Sequence, residues 1–231
     1  MNIQGLQKVT LLDYPEKVAC TVFTAGCNFR CPFCHNASLV THIDAENTIP
    51  MEEIMAFLKK RQGILDGICV TGGEPLLQPD LEEFLVNVKE LGYQVKLDTN
   101  GSNVEKLRNL TEKKLVDYVA MDIKNSQEKY SQTIGIKNYD MKHINDSVEF
   151  LLEGTVEYEF RTTVVREFHN REDFADIGRW IQGAKKYFIQ SFVDSGDVIS
   201  TGLHSYSKDI LIQALEEVRQ YVPEAQLRGV D

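Results

Sequence analysis

The segment Gly26-Cys-Asn-Phe-Arg-Cys-Pro-Phe-Cys-His35 carries three cysteines, Cys27, Cys31 and Cys34, with the spacing C-x3-C-x2-C. Three thiolates in one short loop are suitable ligands for an iron–sulfur cluster. A cubane cluster has four irons to ligate, so three thiolates leave one iron with an open coordination site. An open site distinguishes a reactive metal centre from a structural one, as it does for zinc. The loop therefore predicts a reactive [4Fe–4S] cluster.

Two other interpretations of these cysteines stay open at this point. A zinc knuckle would use the three cysteines and His35, although Cys34 and His35 are adjacent and neighbouring residues rarely ligate one ion together. Disulfides would leave one of the three cysteines without a partner, and the chain has an odd total of five. Cys20 and Cys69 lie inside apolar runs and are predicted to be buried hydrophobic residues rather than ligands.

Outward from this loop, β-rich segments alternate with amphipathic helical patterns. The predicted strands are apolar and rich in β-branched or aromatic residues, and they cover Val18–Phe23, Gly67–Thr71, Tyr93–Asp98, Tyr118–Ile123, Tyr158–Val165 and Tyr187–Val193, with a further short strand over Gln226–Val230. The clearest helix is Asp80–Leu91, where Asp80 and Glu83 are predicted to form a capping box and Gly92 to end the helix.

Strand–helix alternation predicts an α/β fold with a parallel sheet and helices outside it. Further helices are expected from Pro50 onward and over Val104–Leu115, His143–Leu152, Arg171–Ile181 and Lys208–Val222. Six such units suit either a curved open barrel or a flat doubly wound sheet, and composition does not decide between them. In a barrel, reactive groups gather where the strands end.

The cysteine loop, with the aromatic Phe33 directly before Cys34, resembles the signature of the radical S-adenosylmethionine (SAM) superfamily. The resemblance implies a partial (β/α)6 TIM-like barrel of the radical SAM type, formed as a single domain over residues 1–231. It implies that Cys27, Cys31 and Cys34 hold the [4Fe–4S] cluster and that SAM chelates the open iron. An electron from the cluster would then cleave SAM to methionine and a 5′-deoxyadenosyl radical.

The segment Gly72-Gly73-Glu74-Pro75 follows the second predicted strand. Two glycines permit close backbone approach and unusual φ angles, so their amides and carbonyls could meet a ligand directly. This segment resembles the GGEP motif of the superfamily, which receives the SAM amino group. The alternative is an ordinary tight turn before a helix.

The third and fourth predicted strands end in Asp98-Thr-Asn100-Gly and Met-Asp122-Ile-Lys124. A carboxylate at the end of an apolar strand is costly unless it has a partner. Both segments resemble the DTNG and D-[IL]-K motifs of glycyl-radical-enzyme activases. By that resemblance Asp98 and Asn100 line the site, Asp122 meets the amino or ribose groups of SAM, and Lys124 meets its carboxylate. The alternative for Asp122 is an internal salt bridge with another cation.

Arg161 is a cation within the fifth predicted strand, and a buried guanidinium suits bidentate binding of a carboxylate. It resembles the strand-five arginine that contacts SAM in related activases, and the alternative is a structural ion pair with Glu157 or Glu159. By the same resemblance His35, next to the third cysteine, passes the adenine. His42, His143, His169 and His204 have no ligand spacing and are predicted to be surface or satisfied structural residues.

The opening Leu6-Gln-Lys-Val-Thr-Leu-Leu-Asp-Tyr-Pro-Glu-Lys-Val-Ala-Cys20 resembles anaerobic ribonucleoside-triphosphate reductase activating proteins, as does Gln226-Leu-Arg-Gly229. The implied reaction is abstraction of a hydrogen atom from a glycine Cα in a partner glycyl-radical enzyme, with an electron donor such as flavodoxin or ferredoxin. Glu16 departs from the pattern, which has glycine there. The segment Asp194-Ser-Gly-Asp197 also departs from the pattern, because it carries no histidine where some activases have one.

Three other functions stay open. They are activation of a formate-lyase-type glycyl-radical enzyme, a radical SAM reaction on a small molecule, and a non-enzymatic iron–sulfur sensor or zinc module. Short deazapurine-forming synthases have a similar size, but they usually carry Asp where this chain has His35.

Composition sets wider limits on function. Hydrophobic residues make up 42% of the 231 residues, which suffices for a sizeable core. A net charge of −10 argues against broad binding to nucleic acid or to an anionic membrane. No run of eighteen apolar residues and no secretory signal is recognisable, so the expected location is the cytoplasm.

Overall fold

The computed structural model describes residues 1–230, which contain eight strands and eight α-helices. The strands are β1 Ile3–Thr10, β2 Ala19–Thr24, β3 Gly67–Gly72, β4 Gln94–Thr99, β5 Tyr118–Asp122, β6 Glu157–Val164, β7 Tyr187–Ser191 and β8 Gln226–Arg228. The helices are α1 Ala37–Thr41, α2 Met51–Arg61, α3 Leu81–Glu90, α4 Val104–Glu112, α5 Tyr130–Thr133, α6 Lys142–Leu152, α7 Arg171–Trp180 and α8 Lys208–Arg219.

The strands form one sheet in the order of the sequence, β1 to β8. Strands β2 to β4 pair in parallel, as do β6 to β8, so the predicted parallel α/β sheet is confirmed. In the described part of the chain the order does not return from β8 to β1, as expected of a partial rather than a closed barrel. Each predicted strand matches an observed one to within about two residues at each end, which is the usual uncertainty of a boundary.

Strand β1 was not predicted. It pairs antiparallel with β2, and its central residues Gln7, Lys8 and Val9 are exposed. An edge strand with one open side does not need the continuous apolar run by which buried parallel strands are recognised. Strand β1 is therefore recognisable from its hydrogen bonds to β2 and not from its amino-acid composition.

The turn between β1 and β2 explains the departure at Glu16. The Lys17 amide donates to the Tyr14 carbonyl at 3.2 Å, with Pro15 and Glu16 at the two central positions. Glu16 has φ of 61°, in the left-handed region that favours glycine. Pro followed by a residue of positive φ is the pattern of a type II turn. Glycine is expected at position 16 because this turn needs a positive φ there.

Residues Met1–Asn28 and Ser38–Ala120 form one compact unit, here called the N-terminal unit. Its core is built by apolar side chains of α2, α3 and α4 together with those of the strands, including Leu58, Phe84, Leu107, Val70 and Leu97, all fully buried. Gly92 has φ of 87° and ends α3 as predicted.

The capping box predicted at the start of α3 is wrong. The Asp80 side chain makes no hydrogen bond to the first turn of the helix. It forms an ion pair with the amino group of Met1 instead. The Asp80 carboxylate therefore binds the Met1 amino group in place of the backbone amides of the first helical turn. The spacing of Asp80 and Glu83 in the sequence could not indicate this.

Residues Phe29–Ala37 and Met121–Asp231, of which Asp231 lies outside the described residues, form a second compact unit, here called the C-terminal unit. Phe160 of β6, Tyr187 of β7, Leu151 of α6 and Val218 of α8 are buried in its core. Helix α7 begins with a capping box in which Asn170 and Asp173 bond each other's backbone. One radical SAM domain over residues 1–231 stays a prediction.

No helix within residues 1–230 is both long and apolar enough to cross a membrane.

Candidate active site

The cysteine loop crosses the boundary of the two units, with Cys27 in the N-terminal unit and Cys31 and Cys34 in the C-terminal unit. None of the five cysteines forms a disulfide within the described residues. Cys20 and Cys69 are fully buried, as predicted. Burial raises the pKa of the Cys34 thiol, so the charge of a bound metal would be needed to favour its thiolate.

No three His, Cys, Asp or Glu side chains among residues 1–230 are arranged to hold a single metal ion. The donor chemistry fits an iron–sulfur cluster, since thiolates are the ligands that such clusters use. The assignment of Cys27, Cys31 and Cys34 as ligands stays a prediction.

The glycine pair after β3 holds the backbone that leads into the cysteine loop. The Gly73 amide donates to the Thr24 carbonyl at 2.7 Å, and the Glu74 amide donates to the Gly26 carbonyl at 2.8 Å. A Cβ atom on Gly73 would lie 2.1 Å from the Gly26 oxygen, so no larger residue fits without a shift of the backbone. The absence of a side chain at Gly73 therefore allows its backbone to lie against that of Gly26, the residue before Cys27.

The side chain of Glu74 is fully buried and links the loops after β3 and β4. One carboxylate oxygen accepts from the Leu76 amide at 3.0 Å and from the Thr99 hydroxyl at 2.8 Å. The other accepts from the Asn100 amide at 2.7 Å. A buried carboxylate needs such donors to offset its desolvation. Pro75 is buried beside it.

Asn100 is held in turn by hydrogen bonds from its side chain to Ser102 and Asn28 of the same unit. Its side-chain oxygen accepts from the Ser102 amide at 2.9 Å, and its side-chain nitrogen donates to the Asn28 oxygen at 2.9 Å. The same nitrogen lies 3.8 Å from the Cys27 sulfur, within hydrogen-bonding distance for sulfur.

Asp98 forms an ion pair with Lys96, a buried lysine on the same face of β4. The Cys69 thiol lies 3.7 Å from the Asp98 carboxylate and 3.9 Å from the Lys96 ammonium. The sequence analysis did not single out Lys96. A lysine at the centre of an apolar strand pattern was the signal, since a buried ammonium requires a charged partner.

Asp122, Lys124 and Arg161 come together in the C-terminal unit. The Asp122 carboxylate accepts from the Lys124 ammonium at 2.9 Å and from the Arg161 Nε at 3.0 Å. The internal salt bridge considered for Asp122 is therefore present. Of the two glutamates considered as alternative partners of Arg161, Glu159 binds Arg228 at 3.1 Å and Glu157 lies 3.9 Å from Lys186.

Burial alone would raise the pKa of Asp122, but the charges of Arg161 and Lys124 outweigh it and lower that pKa to about 2. Burial alone would lower the pKa of Lys124, and the attraction of Asp122 outweighs that effect and raises it. All three groups are therefore charged at neutral pH. Guanidinium and ammonium groups in one place are suitable donors to an anionic group such as the carboxylate of an amino acid.

His169 is a satisfied structural residue, as predicted, and it also orients the segment that carries Lys124. Its Nε2 donates to the Lys124 carbonyl at 2.9 Å, while its Nδ1 accepts from the Val165 amide at 3.2 Å. Burial lowers the pKa of His169, which favours this neutral form. The sequence contained no spacing that could indicate this contact.

Phe33 and His35 have different surroundings. Phe33 is buried against Phe168 and His169, with ring centroids 5.6 Å and 6.2 Å apart. His35 is exposed and stacks on Phe192 at 5.3 Å with an interplanar angle of 12°. A flat, exposed ring of this kind is a suitable surface for a nucleobase.

A family model described as the Radical SAM superfamily matches residues 21–181. The chain belongs to the radical SAM superfamily. The enzyme class and the two cofactors expected from the cysteine loop, a [4Fe–4S] cluster and SAM, are thereby confirmed at the level of the family.

One relative in Methanocaldococcus jannaschii, named "Putative glycyl-radical enzyme activating enzyme", is 33% identical over 82% of this chain and 79% of its own length. The GTP 3′,8-cyclase of Helicobacter pylori is 27% identical over 72% of this chain and 51% of its own. The pyruvate formate-lyase-activating enzyme of Clostridium pasteurianum is 31% identical over 53% of this chain and 52% of its own. The chain thus spans about half the length of these last two relatives.

The fold is also that of SuiB from Streptococcus suis, solved bound to S-adenosylmethionine. Its TM-score is 0.70 at 14% identity, over 89% of this chain and 49% of the SuiB chain. This likeness confirms the radical SAM fold.

Proposed function

We propose that this radical SAM enzyme is an activase that abstracts a hydrogen atom from a glycine of a partner glycyl-radical enzyme. The observation that carries the proposal is the 33% identity to the M. jannaschii protein over most of both chains. The cluster and SAM supply the one-electron chemistry, while the protein binds, orients and excludes water.

The cluster ligands in this proposal are Cys27, Cys31 and Cys34. The GGEP segment supports them by holding the backbone at Gly26, directly before the first of these cysteines.

The contacts proposed for SAM follow the resemblance to glycyl-radical-enzyme activases. In the C-terminal unit, Lys124 and Arg161 supply positive charge for its carboxylate, Asp122 supplies negative charge for its amino group or accepts from its ribose, and Phe33 and His35 flank the adenine path. In the N-terminal unit, Gly72, Gly73, Glu74 and Pro75 form the turn proposed to receive the amino group, and Asp98 and Asn100 are proposed to line the site. Charge-assisted contacts of this kind are stronger than neutral ones.

The partner we propose is anaerobic ribonucleoside-triphosphate reductase, with flavodoxin or ferredoxin as electron donor. The support is the likeness of Leu6–Cys20 and Gln226–Gly229 to the activating proteins of that reductase. The left-handed φ of Glu16 adds to this support. The activating proteins of that reductase have glycine at this position, and a left-handed φ favours glycine.

The test is anaerobic and uses the full chain. The protein is reconstituted with iron and sulfide, reduced, and mixed with SAM and a candidate reductase, and electron paramagnetic resonance (EPR) detects a glycyl radical on the reductase. Cys31→Ala is the matched control, because two remaining thiolates do not hold the cluster. A Cys31→Ala protein with full cluster absorbance would reject the ligand assignment.

Two other substrates belong in the same assay. The likeness to the C. pasteurianum enzyme favours a formate-lyase-type partner, and the likeness to GTP 3′,8-cyclase favours a small molecule. A radical on the formate-lyase-type partner alone would show that this partner, and not the reductase, is the substrate. Conversion of GTP with no protein radical would show that the substrate is a small molecule.

A further inference from the structure

We propose that Asn100 tunes the reduction potential of the cluster through a hydrogen bond from its side-chain amide to the Cys27 sulfur, and that Glu74 positions Asn100 for this contact. The inference rests on the proposed cluster ligands and adds a role that differs from contact with SAM. All residues involved lie in the N-terminal unit.

The orientation of the Asn100 amide follows from its partners. Its oxygen faces the Ser102 backbone amide at 2.9 Å, and a backbone amide only donates. The nitrogen therefore occupies the other side, where it lies 2.9 Å from the Asn28 oxygen and 3.8 Å from the Cys27 sulfur. A flipped amide would set donor against donor at Ser102. The group facing Cys27 is thus an N–H donor.

A buried carboxylate fixes the position of this donor. The Asn100 backbone amide donates to the buried Glu74 carboxylate at 2.7 Å. Asn100 itself is only 6% exposed. Because water is largely excluded, the dipole of the amide acts on the sulfur with little screening.

Reduction adds one negative charge to the cluster and its thiolates. An N–H donor at a ligand sulfur stabilises the reduced state more than the oxidised one, so it raises the reduction potential. Removal of the donor should make the cluster harder to reduce. This role needs no SAM, and it can therefore be measured in its absence.

The experiment is a redox titration of the reconstituted full chain without SAM, followed by the EPR signal of the reduced cluster. In Asn100→Ala we expect the ratio of reduced to oxidised cluster at a given potential to fall about tenfold, which is a shift of 59 mV for a one-electron couple. Asn100→Asp keeps the shape of the side chain, lacks the donor and should shift the potential in the same direction. Glu74 accepts hydrogen bonds from Leu76, Thr99 and Asn100, and Glu74→Gln places an NH2 group against one of these donors. We expect it to shift the reduction potential less than the Asn100 variants do.

Ser102→Ala is the matched control. It changes the same loop and removes the partner of Asn28, but it keeps the Ser102 backbone amide and the Asn100 donor, so its potential should equal that of the wild type. Iron and sulfide contents are measured for every protein.

Equal potentials in wild type, Asn100→Ala and Asn100→Asp, all with full cluster, would overturn the inference. Loss of the cluster from both Asn100 variants, with retention in Ser102→Ala, would show a purely structural role and would overturn it too. A wild type that takes up no cluster would contradict the proposed function itself, and the metal analysis shows that outcome separately.

Discussion

Replacement of Asp122 by Asn tests the electrostatic centre of the C-terminal unit. The carboxylate lies 2.9 Å from Lys124 and 3.0 Å from Arg161, and its side chain is 29% exposed. Asn keeps the shape but removes the charge, so two cations then face each other across a neutral amide. We expect the free energy of unfolding to fall.

The magnitude follows from the pKa. The difference between the ordinary value of 3.8 and about 2 corresponds to about 2 kcal/mol of stability at neutral pH. Because the folded-state pKa is the lower one, this stabilisation is fully present above the unfolded-state pKa and is lost as the pH falls toward 2. About half of it should be gone at pH 3. The loss at pH 7 rises toward about 3–5 kcal/mol if the two cations do not separate.

The assay is urea unfolding of wild type and Asp122→Asn between pH 3 and pH 8. Asp146→Asn is the matched control, since Asp146 pairs with the exposed Lys142 at the same 2.9 Å and should cost less than about 0.5 kcal/mol. A difference for Asp122→Asn below about 0.5 kcal/mol at pH 7, or one unchanged at pH 3, would refute the reasoning.

Three further outcomes are expected. Lys124→Ala should keep the cluster and bind SAM about 10- to 150-fold more weakly, from the loss of one charge-assisted contact, and an unchanged dissociation constant by calorimetry would remove Lys124 from the site. Gly73→Ala should lower both iron content and stability, the latter by about 1–3 kcal/mol, because its Cβ would lie 2.1 Å from the Gly26 oxygen, and wild-type values of both would contradict that contact. Glu16→Gly should raise stability in urea by about 0.5–1 kcal/mol by relieving the left-handed φ of 61°, and a loss would argue against a strained turn.

Much of the fold could be predicted from the local pattern. Buried strands such as β3 and β5 are continuous apolar runs, and α3 and α7 have clear apolar faces, so their existence follows from periodicity. The half-exposed edge strand β1 has no such run and was missed. The predicted cap of α3 was wrong for a related reason, since the partner of Asp80 is the amino group of Met1, 79 positions away in the sequence.

The site was predictable wherever residue type and spacing carry the chemistry. The cysteine spacing, the GGEP turn and the charged strand ends were recognisable because the chemistry needs those groups close together in the chain. Lys96 and His169 were missed or left without a role, because each acts through a partner that only folding brings near.

The sequence by itself determined the ligand chemistry and the alternation of strands and helices, since both are encoded by residues close together in the chain. Only the tertiary structure decided that Asp122 pairs with Arg161, that Glu74 serves the loop after β4, and that the Asn100 donor faces a cysteine sulfur. These contacts join residues 39, 26 and 73 positions apart. The physical reason is that electrostatic and hydrogen-bond energies depend on distance in space, which a one-dimensional pattern does not record.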